Sequence, residues 1–204
     1  MKLLFATGND LKYSLMKERL KELTDIEVII PKMLDIKINV LEDGITPEEN
    51  AIKKAKQYYD ATGLPTIAED SGLYIDKFSS DEQPGLHVKR INEKENLSDE
   101  EILNYYIEKL NKYGGESEAC YHTGTCLIDE NGNIFSDTTI ETKFLLTNQK
   151  CSKESIKGGV LDCISYDLNN QKYFSERSED DKKSHYKKLD EKYRQLVRKY
   201  ILKK

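Results

Sequence analysis

The chain has 204 residues, of which 37% are apolar and 34% are charged, and its formal net charge is −5 at pH 7. This length fits one domain of about 100–200 residues, so we expect residues 1–204 to fold as a single domain. The acidic balance excludes a general surface for polyanions. We therefore expect no binding of long nucleic acid, and any phosphate ligand must be met by local cations or a metal ion.

The N-terminal segment MKLLFATGND has only a short apolar run and turns polar at Asn9. It lacks the length of a signal peptide or a membrane span, and no later segment approaches about 18 consecutive apolar residues. A cytoplasmic protein with no membrane partner is expected. The cysteines lack CxxC spacing and indicate reduced thiols. Zinc binding by Cys120, His122 and Cys126 is an alternative, but alternation along a strand also places all three on one face as packing positions.

The chain opens with a pattern of strand, glycine turn and helix. Residues 2–8, KLLFATG, predict a short buried strand that ends at Gly8. Asn9 or Asp10 can cap the following helix. A second strand is predicted over 26–31. The apolar stripe of the first helix consists of Leu15, Met16, Leu20 and Leu23.

The second helix has the strongest local signals in the chain. Thr46 and Glu49 have the spacing of a capping box, and Pro47 stands at the first helical position. Gly63 follows the last turn. These signals predict a helix over 47–61.

The segment LPTIAEDSGLYID (64–76) predicts a strand, a sharp interruption at Ser71 and Gly72, and a second extended stretch. Ser98 then opens another helix with a capping-box signal. A hairpin follows, because the extended segments 118–129 and 133–146 flank an Asn-Gly turn.

The C-terminal segment 189–202 has the apolar stripe of an amphipathic helix. Helices and strands therefore alternate before the strands pair as a hairpin. This order predicts an α/β fold with a mixed β-sheet flanked by helices.

The turn after the first strand has the features of a phosphate site. The residues Thr7, Gly8 and Asn9 precede a helix whose first turn holds Lys12. Backbone N–H groups, the positive end of the helix and one ammonium group therefore point to the same place. The GxxxxGK[ST] loop is absent from the sequence, and a capped surface helix is the alternative interpretation.

Three carboxylates stand where they could meet near that turn. Glu42 precedes the second helix, and Glu69 and Asp70 end the predicted strand after it. Connections of neighbouring strands often meet at one edge of a sheet, and hard oxygen ligands of this kind suit Mg²⁺. A solvated loop or a helix cap is the alternative. The cost of an unpaired charge at the end of an apolar strand favours a site.

Together these segments resemble the successive motifs of the inosine triphosphate pyrophosphatase family. The resemblance is ordered and spans nearly the whole chain. The matching segments are FATGNDLK (5–12), EDGITPEENAIKKA (42–55), TGLPTIAEDSGL (62–73), QPGLHVKR (83–90) and SH (184–185).

The resemblance implies an α/β fold with two lobes around a central nucleotide-binding cleft, and a homodimer. It also implies Mg²⁺-dependent hydrolysis of a nucleoside triphosphate with a non-standard purine, giving a monophosphate and pyrophosphate. Such a reaction removes unwanted nucleotides from the cellular pool.

The resemblance assigns roles to particular residues. Glu42 and Asp70 would bind the metal, and Asp70 would also take the proton from the attacking water. The residues that would hold phosphates are Thr7, Gly8, Asn9, Lys12 and Lys54. The residues that would make the other substrate contacts are Ser71, Gly159, Asp162 and His185.

The second half of the chain departs from the family pattern. The motif GFGYDP appears as GGVLDC (158–163), which keeps Gly158 and Asp162 but lacks both aromatic side chains and the proline. The motif SHR appears as SHY (184–186), so one hydroxyl replaces a planar guanidinium. Three alternatives stay open: a pyrophosphatase with altered base preference, a nucleotide-binding or regulatory protein with weak or no turnover, and a different enzyme that uses the same phosphate site, such as one acting on a modified pyrimidine nucleotide or a diphosphate.

Overall fold

The computed structural model describes residues 1–91, 97–153 and 159–204 and divides the chain into two compact units. Unit 1 consists of Met1–Ser71, Thr123–Thr139 and Tyr186–Lys204. Unit 2 consists of Gly72–His122 and Ile140–His185. A single functional domain over 1–204 stays a prediction.

Unit 1 begins with strand, turn and helix, as predicted. Strand β1 spans Lys2–Phe5, helix α1 spans Asp10–Leu20, strand β2 spans Glu27–Ile29 and helix α2 spans Pro47–Thr62. Strand β1 ends earlier than predicted because the N–H of Thr7 donates to the carbonyl of Phe5 and bends the chain before Gly8.

The helix caps follow the sequence signals closely. The side chain of Asn9 caps α1, and Thr46 Oγ1 accepts from the N–H of Glu49 at the start of α2. The second half of the α2 capping box differs from the prediction. The Glu49 carboxylate accepts from the N–H of Ile45, one residue before the cap.

Strand β3 corrects the predicted interruption, because it runs unbroken over Thr66–Ile75. Gly72 does not bend the strand; its lack of a side chain lets the backbone of Gly85 come close to β3. A Cβ atom at this position would lie 3.0 Å from the carbonyl carbon of Gly85, and Leu73 and Gly85 form an antiparallel bridge. Glu69 and Asp70 therefore lie inside a strand, not at its end.

In unit 1, β1 lies between β2 and β3 and is parallel to both. Strand β4 spans Glu116–Ile128, follows β3 in the sheet and pairs with β5, Ile134–Ile140. The predicted hairpin is confirmed, with Gly132 at a φ of 82° in its turn.

In unit 2, the first residues of β4 pair antiparallel with β6, Phe144–Thr147. Strands β7, Ser165–Asp167, and β8, Lys172–Tyr173, continue the antiparallel order. The predicted single extended segment 133–146 is therefore wrong. It divides into β5 and β6, which are separated by residues 141–143, and both strands pair with β4.

Helix α3 spans Asp99–Lys112 and begins with the predicted capping box of Ser98 and Glu101. Helix α4 spans Glu179–Val197, and a π-helical turn, Arg198–Leu202, follows it. None of the helices in the described ranges is long and apolar enough to cross a membrane.

Each unit has its own apolar core. The buried side of α4 in unit 1 packs with residues of β1 and α1. The core of unit 2 includes Leu73 of β3, Tyr106 of α3 and Phe144 of β6. The buried residues contributed by α4 and the turn after it are Leu189, Tyr193, Val197 and Ile201.

The four cysteines are free thiols, as predicted. Cys126 is fully buried, and burial raises the pKa of its thiol to about 12. Within the described part of the chain no three His, Cys, Asp or Glu side chains are grouped to hold a metal, so the zinc alternative at Cys120, His122 and Cys126 is not supported.

Replacing Gly124 of β4 by alanine is expected to destabilise the protein. The added Cβ would lie 2.2 Å from the backbone nitrogen of Glu48, at the start of α2. Backbone cannot yield as a flexible side chain does, so we expect a loss of about 1–3 kcal/mol in the free energy of unfolding, measured by urea denaturation. The control is Gly8→Ala, whose Cβ meets no atom within 4 Å. Equal stability of the two variants would contradict this account.

Candidate active site

The turn between β1 and α1 has the expected shape of an anion site. Asn9 Oδ1 accepts from the N–H groups of Leu11 and Lys12, at 2.9 and 3.2 Å. The N–H of Asn9 in turn donates to Thr7 Oγ1 at 3.1 Å. Gly8 and Asn9 are exposed, so the positive end of α1 is open to a ligand.

Glu69 is a buried carboxylate surrounded by cations. Its Oε1 lies 3.4 Å from Lys12 Nζ, and its Oε2 lies 3.3 Å from Arg19 Nη1. The Tyr193 hydroxyl donates to the same Oε2 at 2.6 Å. Burial alone would raise the pKa of Glu69, but Lys12, Arg19 and the Tyr193 hydroxyl outweigh it and lower the pKa. Glu69 is therefore an ionised group with its own counter-charges.

Helix α2 supplies two polar side chains one turn apart on one face, Asn50 and Lys54. Asn50 Nδ2 donates to Asp70 Oδ2 at 2.9 Å, and Asn50 Oδ1 accepts from the N–H of Gly44 at 2.8 Å. Lys54 Nζ lies 2.8 Å from Glu42 Oε1. The same helix face thus holds both of the predicted metal ligands.

Glu69 does not join Glu42 and Asp70, although the sequence suggested that the three carboxylates could meet. Neighbouring residues of a strand point to opposite faces of the sheet. The Glu69 side chain contacts residues of α1 and α4, while Asp70 contacts α2. Only the backbone carbonyl of Glu69 is on the α2 side, where it accepts from Lys54 Nζ at 3.4 Å.

Glu42 and Asp70 fit a magnesium ion by the chemistry of their donors. Each carboxylate has one oxygen held by a side chain of α2, and both offer the hard oxygen atoms that Mg²⁺ takes. Mg²⁺ keeps several water ligands and bridges to phosphates, so two protein carboxylates suit it.

Asn50 is a site residue that the sequence interpretation did not select. It is 2% exposed, and both of its side-chain polar atoms are used. The sequence could have indicated Asn50, because it lies four residues before Lys54 in the ENAIKKA segment and therefore on the same helix face. Ser71, which was selected, shares a hydrogen bond of 2.8 Å with Thr123 Oγ1.

Gly159 and Asp162 lie together in a turn of unit 2, whereas Gly158 lies outside the described residues. The N–H of Asp162 donates to the carbonyl of Gly159, and a Cβ on Gly159 would come within 2.2 Å of Asp162 Oδ2. Burial raises the pKa of Asp162 to about 6, and Arg177 and Lys182 oppose that rise.

His185 also belongs to unit 2 and lies within α4. Its side chain is 5% exposed, with Nδ1 3.4 Å from Asp167 Oδ2. Arg177 Nη1 lies 3.5 Å from the same oxygen, and both residues contact the Phe174 ring. Burial and Arg177 lower the pKa of His185, while Asp167 opposes them. The contact of His185 with substrate stays a prediction.

Tyr186, which replaces the arginine of the SHR motif, belongs to unit 1. The centre of its ring lies 5.8 Å from the guanidinium carbon of Arg19. It packs at the edge of the unit 1 core. Nothing in the sequence indicates that Arg19 belongs to the site. For Tyr193 the sequence predicts only that it packs in the apolar stripe of the C-terminal helix.

Asp70 of β3, Glu42 of the loop before α2, the lysines Lys12 and Lys54, and the open end of α1 form a candidate site for a metal ion and phosphate. Residues 3–189 match the sequence model of the Ham1 family, so the chain belongs to that family. A dITP/XTP pyrophosphatase of Leptospira interrogans serogroup Icterohaemorrhagiae serovar copenhageni is 32% identical over 81% of this chain and 82% of the relative.

Other relatives match over less of their length. The dITP/XTP pyrophosphatase of Aquifex aeolicus is 43% identical over 90 residues, which is 44% of this chain and 42% of that protein. For the dITP/XTP pyrophosphatase of Lactobacillus acidophilus the match again spans less than half of the relative, 44% of it.

Solved structures agree with the fold. A HAM1 protein from Coxiella burnetii superimposes with a TM-score of 0.80 at 25% identity and covers 98% of this chain and 99% of its own. The Staphylococcus aureus Ham1 protein, at 22% identity, has the same fold with a TM-score of 0.78 over 97% of this chain and 98% of its own. The predicted fold class and the family resemblance are confirmed; a nucleotide cleft between two lobes stays a prediction.

The raised pKa of Asp162 predicts a pH-dependent effect on stability. The group has a pKa of 3.8 in a model peptide and about 6 in the folded chain, so protonation favours folding. That contribution is complete below about pH 4 and is lost as the pH rises through about 6. We expect Asp162→Asn, which cannot ionise, to be about 3 kcal/mol more stable than the parent at pH 8 and to differ by less than about 1 kcal/mol at pH 4.

Asp181→Asn is the control for this experiment, because the pKa of Asp181 is shifted in the opposite direction to that of Asp162. Hydrogen bonds from Ser178 and the nearby Lys172 lower the pKa of Asp181 to about 2. Its loss should therefore destabilise the chain at neutral pH. Thermal unfolding at pH 4, 6 and 8 measures both variants. An Asp162→Asn chain that is less stable than the parent at pH 8 would refute the buried-charge account.

Proposed function

We propose that this protein hydrolyses a nucleoside triphosphate with a non-standard purine, such as ITP, XTP or dITP, to the monophosphate and pyrophosphate. The observation that carries the proposal is the arrangement on α2, where Asn50 and Lys54 hold Asp70 and Glu42. The names of the family relatives support the substrate class. Removal of such nucleotides from the cellular pool is the corresponding role.

The lysines and the helix end would bind the phosphates. Lys12 and Lys54 provide two ammonium groups, and the turn of Thr7, Gly8 and Asn9 provides the positive end of α1. A triphosphate carries about four negative charges at neutral pH, so positioning and charge neutralisation would do most of the work. Mg²⁺ held by Glu42 and Asp70 would supply further neutralisation of the phosphate oxygens.

Asp70 is the residue proposed to take the proton from the attacking water. Asn50 Nδ2 donates a hydrogen bond to Asp70 Oδ2, and this bond restricts rotation of the carboxylate. A carboxylate fixed in this way presents its other oxygen in one direction, as general base catalysis requires. Ser71, next in the strand, has its hydroxyl fixed by Thr123 and is proposed to contact the substrate.

A pyrophosphatase with altered base preference is the second candidate. The family arginine at position 186 is a tyrosine whose ring lies beside Arg19, so this position offers no guanidinium to a base. Gly159, Asp162 and His185 are proposed as the substrate contacts of unit 2. A homodimer and a cytoplasmic location stay predictions.

The test is a substrate panel with ITP, XTP, dITP and the common triphosphates in the presence of Mg²⁺. We expect pyrophosphate from at least one of them. We expect Asp70→Asn to lower the rate by about a hundredfold or more, because the variant lacks the proposed base. Asp76→Asn is the matched control, since Asp76 pairs with Lys143 in unit 2. Nucleotide binding by calorimetry without any turnover would instead identify a binding protein.

Glu42→Gln is expected to raise the Mg²⁺ concentration needed for half-maximal rate by about tenfold, because it removes one charged oxygen ligand. The control is the adjacent Asp43→Asn, since Asp43 pairs with Lys53. Titration of the rate with Mg²⁺ at saturating substrate measures the effect. An unchanged requirement would exclude Glu42 as a metal ligand.

A further inference from the structure

We propose that Arg19 is a positioning residue for the phosphate site. Arg19 binds one carboxylate oxygen of Glu69, so that the other oxygen points to Lys12. This contact fixes the Lys12 ammonium group, which would bind phosphate. This inference rests on the proposed function, since it concerns the same site. It assigns a role to a residue whose side chain is only 8% exposed.

The two oxygens of Glu69 have different partners. Oε2 receives the guanidinium of Arg19 at 3.3 Å and the Tyr193 hydroxyl at 2.6 Å. Oε1 lies 3.4 Å from Lys12 Nζ. With Oε2 bound on two sides the carboxylate has little freedom to rotate. Its second oxygen therefore keeps one direction, which is toward Lys12.

Arg19 is itself held on several sides within unit 1. Its Nε donates to Asp190 Oδ1 at 2.9 Å, and its backbone carbonyl accepts from Arg194 Nη1 at 3.1 Å. Its guanidinium carbon lies 5.0 Å from the centre of the Tyr193 ring. The planar fork of an arginine can bind two carboxylates at once, which a lysine ammonium cannot do in the same geometry. The guanidinium is thus a fixed bridge between α4 and Glu69.

The position of Lys12 makes this bridge relevant to ligand binding. Lys12 lies in the first turn of α1, next to the open helix end, and its side chain is 33% exposed. An ammonium group has more than one N–H donor, so a bond to Glu69 leaves donors for a phosphate. Without Arg19, the buried Glu69 would have to draw Lys12 inward to compensate its charge. Phosphate affinity would then fall while the proton transfer at Asp70 is unaffected.

The experiment compares Arg19→Met with the parent chain in two measurements. Calorimetry with inorganic tripolyphosphate and Mg²⁺ measures binding at the phosphate site without a base or a sugar. We expect about tenfold weaker binding, the loss typical of a displaced charged hydrogen bond. With a hydrolysed nucleotide, KM should rise by a similar factor while kcat stays within about twofold. The matched control is Arg198→Met, which removes an arginine that pairs with Glu191.

A double-mutant cycle separates positioning from general destabilisation. If Arg19 acts through Lys12, the variant Lys12→Met/Arg19→Met should bind tripolyphosphate no more weakly than Lys12→Met alone. Arg19→Lys, which keeps a positive charge near Glu69, should recover part of the affinity. Full additivity in the cycle, or a folded Arg19→Met that binds tripolyphosphate as the parent does, would overturn the proposal.

Tyr193→Phe provides the same test if Arg19→Met fails to fold. It keeps the ring and removes the hydroxyl that donates to Glu69 Oε2. We expect about threefold weaker tripolyphosphate binding, again without further effect in the Lys12→Met background; additivity would count against the proposal. A parent chain that binds tripolyphosphate but hydrolyses no nucleotide would refute the proposed function and leave this inference standing. A parent chain that does not bind tripolyphosphate would refute the inference.

Discussion

A buried carboxylate inside a sheet strand needs cations or hydrogen-bond donors around it, and Glu69 is such a carboxylate in unit 1. The cost of burying an isolated charge is several kcal/mol, which is comparable with the stability of a whole domain. The chain meets this cost with Lys12 and Arg19 of α1 and with the hydroxyl of Tyr193 on α4. These contacts connect both helices to β3. The charge of Glu69 therefore fixes the positions of Lys12 and Arg19 next to the turn between β1 and α1.

The next residue of the strand extends this arrangement to the other face of the sheet. Because side chains alternate along a strand, a carboxylate that faces α1 and α4 is followed by one that faces α2. Asp70 meets Asn50 there, and Lys54 lies one turn further along the same helix beside Glu42. Gly124 permits the N-terminus of α2 to come this close to β4. The adjacent acids Glu69 and Asp70 therefore have different partners on opposite faces of the sheet, although both are carboxylates.

Signals that lie close together in the sequence predicted the structure well. The caps at Asn9 and Ser98 and the hairpin at Gly132 depend on contacts over a few residues, and all three are present. Contacts between distant residues could not be predicted from one sequence. Arg19 and Glu69 are 50 positions apart, and Tyr193 and Glu69 are 124 apart. The continuity of β3 through Gly72 likewise depends on Gly85, because the glycine is needed for the approach of that second segment. The site residues themselves came from the ordered family motifs, and their geometry came from the fold.

The two lysines of the candidate site are neutralised in different ways. Lys12 is paired with a carboxylate that is 9% exposed and has two further donors, so that partner cannot leave. Lys54 is paired with Glu42, which is 42% exposed and offers the oxygen chemistry of a metal ligand. If Glu42 binds the proposed metal ion, Lys54 would become available to phosphate, whereas Lys12 would bind phosphate while still paired with Glu69. Binding of metal and of triphosphate should consequently depend on each other through Lys54 and not through Lys12. The buried carboxylate Glu69 would thus hold Lys12 in place, whereas the exposed carboxylate Glu42 would release Lys54.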